Sequence, residues 1–289
     1  MSERSERTIR LSSVAPGGVS GVDTVPTWAA GRLAFSTLGC STEPVESVLE
    51  LARRTGCHGV ELRCAEGEPV APDTPAGMLR ETGKRFADAG VEPICVASYV
   101  RIAAPDGDPV TDLLHHVEIA EHLGARYVRV FGGRDGQADP HPVAVQRLGE
   151  VARRIESGPV TILLETHDVF CSARAVAAVL AEVDSPVVAA LWDAVNPWRV
   201  GESAREAADA LAPWLRHVQL KDVRATDDLA PVLPGHGAVP LGQILSELER
   251  LDYRAWLSLE WERAWFPEAP PLADALGAFR AVLAAHRAA

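Results

Sequence analysis

The chain has 289 residues, 47% of them hydrophobic, and a formal charge of -12: enough apolar material for one large domain, and no basic footprint for phosphate. Nucleic acid is therefore excluded as a partner, and no apolar run is long enough to span a membrane. The five cysteines form no C-x-x-C pair, which argues against a disulfide scaffold or structural zinc and favours a reducing cytoplasm.

Residues 1–31 begin "MSERSERTIRLSSVAPGG" and lack an apolar core for export. They read as an N-terminal arm, flexible or packed on the surface or on a second subunit. From 32 to 289 one rhythm repeats, a short apolar run and then a longer amphipathic stretch. The runs are "RLAFSTLG", "GVELR", "EPICVAS", "RYVRVFGG", "PVTILLE", "VVAALWD", "RHVQLKD" and "AWLSLE". Each is bounded by Gly, Pro or charge, as buried strands are. Between them, "STEPVESVLELARRTG" offers a Ser/Thr cap, a proline in the first turn and a closing glycine. "TDLLHHVEIAEHLG", "LGQILSELERLD" and "PLADALGAFRAVLAAH" carry the same helical spacing. Eight strands alternating with eight helices is the element count of an α/β protein of the (β/α)8 TIM barrel type, a single domain over 32–289. An open doubly wound sheet would want a Gly-rich phosphate loop early in the chain, and "STLGCSTEP" is not one.

Such a barrel carries its active site at the C-terminal ends of the strands. Glu165, Asp193, Gln219 and Glu260 fall at or just before the ends of strands five to eight. Three carboxylates at one mouth repel unless some are protonated or a cation neutralises them. A divalent metal is the simpler solution, with Glu165, Asp193, Gln219 and Glu260 all offering oxygen. That set suits Mn²⁺ first, then Mg²⁺ or Co²⁺, ahead of Zn²⁺. Alternation along "RHVQLKD" turns His217, Gln219 and Lys221 to one face, with His217 a deeper core residue.

The words "GVELR", "VFGG", "LLETHD", "LWDAVNPW", "HVQLKD", "PGHGAVPLG" and "LSLEWER", in this order, resemble the sugar phosphate isomerase/epimerase superfamily of xylose isomerase-like barrels, over about residues 32–285. The superfamily includes ketose 3-epimerases, inosose isomerases and dehydratases, and hydroxypyruvate isomerase. The resemblance implies a metal held by Glu165, Asp193, the position of Gln219, and Glu260. It also implies Glu165 and Glu260 as the catalytic acid/base pair. The chain departs at Gln219, where most members carry His and those resembling hydroxypyruvate isomerase carry Gln. It departs again at Asn196, where epimerases often place a substrate-contacting His.

The expected reaction is proton transfer through a metal-stabilised enediolate of a small sugar or sugar-derived substrate, hence an isomerase or epimerase. Substrate contacts are expected from His167, Asn196, Lys221, Glu61, Arg63, Trp265 and Arg224, with a mutual Glu61–Arg63 ion pair an open alternative. The loop "RATDDLAPVLPGHGAVPLG" is read as lying over the site. The nearest rival is a metal-dependent dehydratase or lyase acting on an inosose, a dehydroshikimate-like acid or a keto-glycoside. A second rival is a non-catalytic sugar-binding barrel. Barrels of this type commonly pair, so a homodimer is open.

Overall fold

Buried strands with alternating side chains must satisfy two apolar environments at once, the barrel interior and the helical layer. The computed structural model, which describes residues 32–134 and 139–288, meets both demands with a closed parallel barrel. The expected N-terminal arm of residues 1–31 lies outside the described residues. In chain order, β1 (Leu33–Ser36) leads through a 3-10 turn to α1 (Val45–Thr55), followed by β2 (Gly59–Arg63), α2 (Ala76–Asp88), β3 (Glu92–Arg101) and α3 (Pro109–Leu123). Then come β4 (Tyr127–Phe131), α4 (Pro140–Ile155), β5 (Thr161–Glu165), α5 (Ala173–Val183) and β6 (Val188–Asp193). Two helices follow, α6 (Val195–Arg199) and α7 (Ala204–Leu211), before β7 (Leu215–Leu220). A small antiparallel pair, β8 (Asp222–Val223) and β9 (Pro231–Val232), precedes α8 (Leu241–Arg250), β10 (Trp256–Leu259) and α9 (Leu272–Ala288).

Hydrogen bonding runs β1-β10-β7-β6-β5-β4-β3-β2 and closes from β2 onto β1, so β10 is the eighth barrel strand. The expected eight-strand barrel is therefore present, with α6 and the β8–β9 pair as additions the sequence rhythm did not signal. At α1 the expected Ser/Thr cap is absent. Pro44 holds the N-cap position, while Ser41 and Thr42 hydrogen-bond the Glu68 carboxylate instead. The closing glycine behaves as expected: Gly56 ends α1 with φ 66°, in the left-handed region.

Outward residues such as Val128, Val130, Ile162, Leu164 and Leu257 join the helices in one large core. Inward residues at the lower end, among them Ala34, Cys95, Tyr127, Leu163, Leu191 and Trp256, form a second core inside the barrel. Gly59 makes room there, since a Cβ at this position would lie 2.8 Å from both the Trp256 ring and Ile94. Two residues further along most of these strands the inward positions turn polar: Ser36, Glu61, Arg129, Glu165, Asp193 and Ser258. No helix among the described residues is long and apolar enough to cross a membrane.

Candidate active site

Alternation carries acids to one end of the barrel. Glu165 closes β5, Asp193 closes β6, and Glu260 follows β10 directly. All three are buried. Lys221, just past β7, stands among them. Its Nζ lies 2.9 Å from Asp193 Oδ2, 2.5 Å from Glu260 Oε2 and 2.7 Å from Glu262 Oε1. Arg129 on β4 supplies a second cation, 3.3 Å from Glu165 Oε2, with its guanidinium 3.9 Å from the Phe131 ring centre.

Carboxylates still crowd this mouth. Burial, opposed by the Lys221 ammonium and reinforced by Asp193, Glu165 and Glu262, pushes the Glu260 carboxyl up to about 8. Burial also raises Glu165, against the pull of Arg129 and His167. For Lys221 burial acts downward, but Asp193, Glu260 and Glu262 outweigh it and hold the ammonium well above its usual range.

One layer below, Gln219 Nε2 donates to Glu61 Oε2 at 2.8 Å. The His217 ring nitrogen Nε2 lies 3.1 Å from Glu61 Oε1, without the alignment of a hydrogen bond. Burial raises the Glu61 carboxyl, and His217 with Ser258 and Gln219 reverses that to a net lowering. Glu61 is therefore a buried anchor for His217 and Gln219, not a residue at the substrate surface. It does not pair with Arg63, whose guanidinium engages Glu68 and donates through Nε to the Tyr99 hydroxyl at 2.7 Å. The rise of the strand explains the separation: two positions apart on one face of β2, they occupy different depths.

The other expected substrate residues divide. Asn196 is buried, and its amide donates to Asp193 Oδ2 at 2.6 Å, while the Val195 N–H donates to Oδ1 at 3.1 Å. Asn196 thus orients the acid. His167 Nδ1 lies 2.7 Å from Asp168 Oδ1, Arg101 donates to Asp168 Oδ2 at 3.3 Å, and the His167 ring packs against Phe131. Burial lowers His167, but Asp168 and Glu165 reverse this and its net pKa is raised. Arg224 is exposed and pairs with Asp228 at 3.5 Å, a local surface contact of its loop. That loop wraps the Asp222 carboxylate, which accepts from the N–H groups of Gly235 and Gly237 at 2.9 Å and of Val239 at 3.2 Å. A Cβ on Gly237 would fall 2.1 Å from Asp222 Oδ1, so the wrap needs glycine there. Trp265 is 55% exposed and faces the Arg63 guanidinium at 5.1 Å. Trp192 and Trp261 are core residues.

Does the site suit a divalent cation? Among the described residues no three His, Cys, Asp or Glu side chains form a ready cage. The Lys221 ammonium instead lies between Asp193 and Glu260. The donor chemistry does suit a hard cation. Gln219 Oε1 is a buried acceptor without a donor, and Glu165 Oε2 likewise accepts no hydrogen bond. Glu165, Asp193, Gln219 and Glu260 are the residues that would hold it, with Glu262 a further acid beside the Lys221 ammonium.

The xylose isomerase-like TIM barrel family matches residues 49–282. The chain belongs to this family. Among curated proteins, this xylose isomerase-like barrel is 25% identical to a fructoselysine 3-epimerase of Shigella flexneri, over 86% of the chain and 96% of the relative. It is 23% identical to a 3-dehydroshikimate dehydratase of Bacillus anthracis, over 74% of the chain and 84% of the relative. Among solved structures, the IolI protein with a bound zinc atom aligns with a TM-score of 0.74 at 18% identity, over 89% of this chain and 98% of that one. An isomerase-class enzyme fits these relatives, with dehydration allowed.

Arg129, Glu262 and Glu68 escaped the sequence reading. For Arg129 a signal existed: a charge at an inward position of "RYVRVFGG", two residues from either aromatic, has no place in a barrel interior without a buried acid. Glu262 and Glu68 lie in loops, where nothing local distinguishes them from surface charges.

Proposed function

We propose that this barrel is a divalent-metal-dependent isomerase or epimerase of a sugar or sugar derivative, acting by proton transfer beside a carbonyl group. The observation that supports it most is the pair of buried carboxyls, Glu165 and Glu260, at one mouth of the barrel. They stand on strands separated in the barrel by β6 and β7, with Asp193 between them. Two carboxyls flanking a substrate let one remove a proton from carbon while the other returns one to the opposite face or to the neighbouring carbon.

A divalent ion held by Glu165, Asp193, Gln219 and Glu260 would supply Lewis-acid polarisation of the substrate carbonyl. The remaining tasks fall to side chains. Asn196 and the Val195 N–H fix Asp193. Arg129 keeps Glu165 in place, and Glu61 fixes the face of Gln219 so that its carbonyl oxygen is free. Lys221 balances the acids and presents an ammonium to negative charge developing on a substrate oxygen. The all-oxygen donor set supports Mn²⁺ or Mg²⁺ over Zn²⁺.

Dehydration has one observation in its favour. His167, held by Asp168 beside Glu165, is a proton donor suited to a departing hydroxyl. A panel of free ketoses, inososes, alkyl and aryl keto-glycosides and 3-dehydroshikimate with added Mn²⁺, read by chromatography coupled to mass spectrometry, decides between the two. The proposal expects a product of unchanged mass at a new retention time. Loss of water selects the dehydratase, and no conversion of any panel member with metal bound contradicts the isomerase reading.

A further inference from the structure

Beside the carboxylate mouth lies a cavity of about 590 Å³, set between the ends of β2 and β3, the first turns of α3 and the loop after β10. Its walls include Arg63, Tyr99, Val100, His115, His116 and Trp265. Its volume is that of a small-molecule site. Tyr99 is the wall it shares with the acids: the Arg63 guanidinium lies 5.3 Å from the ring centre and that of Arg129, which holds Glu165, lies 5.6 Å from it.

Most polar groups of this cavity are already engaged, the exposed Asp112 carboxylate being the exception. Arg63 is neutralised by Glu68 and donates to the Tyr99 hydroxyl. His115 Nε2 lies 2.6 Å from the Pro72 carbonyl oxygen, and His116 Nδ1 lies 2.7 Å from that of Asp112. A phosphate would meet the Asp112 carboxylate and no free cation among these walls, and a second ring of hydroxyls would find that one acceptor and few other free polar groups, entering at a desolvation cost with little return. What the cavity does offer is flat aromatic surface. Trp265 is 55% exposed, and its indole is held by the Arg63 guanidinium at 5.1 Å. An exposed tryptophan fixed at the rim of a polar site suits a planar ligand.

We propose that this cavity is an aglycone subsite, and that the substrate is a sugar derivative carrying an aryl group at the end remote from the reacting carbon. The inference rests on the proposed function for the location of the sugar, but the subsite is measured by binding alone. The ring would lie against Trp265 and Tyr99 while the sugar reaches past Tyr99 to the acids.

Saturation-transfer NMR with phenyl β-D-glucoside and methyl β-D-glucoside at millimolar concentration, on metal-loaded protein, tests this. The wild type should transfer saturation to the phenyl protons and bind the phenyl glucoside about tenfold more tightly than the methyl one, as an added aromatic contact implies. Trp265→Ala should remove that preference, and Trp265→Phe should keep most of it. No saturation of the phenyl protons in the wild type, or a preference unchanged in Trp265→Ala, would overturn the subsite. So would a Trp265→Ala variant that alters the oligomeric mass while leaving aryl binding intact, because the indole would then belong to a subunit contact. Failure of the isomerase reading shows elsewhere, as an intact aryl preference without any product of unchanged mass.

Discussion

The two ends of the barrel interior are built from the same strands and could hardly differ more. At the lower end Tyr127, Leu163, Leu191 and Trp256 face one another as an apolar floor. Two positions along the first three of these strands, and four along the last, the same inward row reads Arg129, Glu165, Asp193 and Glu260. The floor is held by packing and the mouth by charge balance. The period of two along a strand lets one sequence write both without interference. Stability concentrated below leaves the mouth free to hold acids that no stable core would accept unpaired.

The contrast breaks most readily from below. Trp256→Ala should cost about 3–5 kcal/mol of folding stability through the cavity it leaves, measured by denaturant unfolding. A midpoint equal to wild type would mean the floor carries no such weight. At the mouth, Lys221→Met should cost on the order of 3 kcal/mol without metal, because Asp193, Glu260 and Glu262 lose their common cation. Added Mn²⁺ should recover part of that loss and bind the variant more tightly than wild type, whereas an unchanged metal affinity would show that the ammonium and the ion do not compete. Gln219→Leu should cost about 1–3 kcal/mol of stability, because Glu61 loses a buried donor, and should weaken Mn²⁺ binding by about 10- to 100-fold, read by calorimetry on the folded variant. Unaltered affinity would remove Gln219 from the site.

The floor and the strand order were legible because apolar alternation and strand boundaries are local signals. The acids were legible because a carboxylate at the end of a buried strand stands out against its neighbours. Partnerships were not. That Asn196 serves Asp193, that Glu61 turns inward to His217 and Gln219, and that Arg63 turns to Glu68 depends on which strands and loops closure of the barrel brings together. Glu61 and Arg63 show the limit best: neighbours in one short word, they are separated by depth. The β8–β9 pair escaped because two-residue strands carry no period, although the glycines that let the chain wrap Asp222 were visible in "PGHGAVPLG".

The central claim is that Glu165 and Glu260 act as a proton-transferring pair. Turnover of a converted sugar in D₂O, followed by NMR, tests it most directly. The wild type should place solvent deuterium on the carbon that is inverted or protonated. Glu165→Gln and Glu260→Gln should each slow that incorporation by about 10²- to 10⁴-fold. Near-native deuterium incorporation by both variants would contradict the pair.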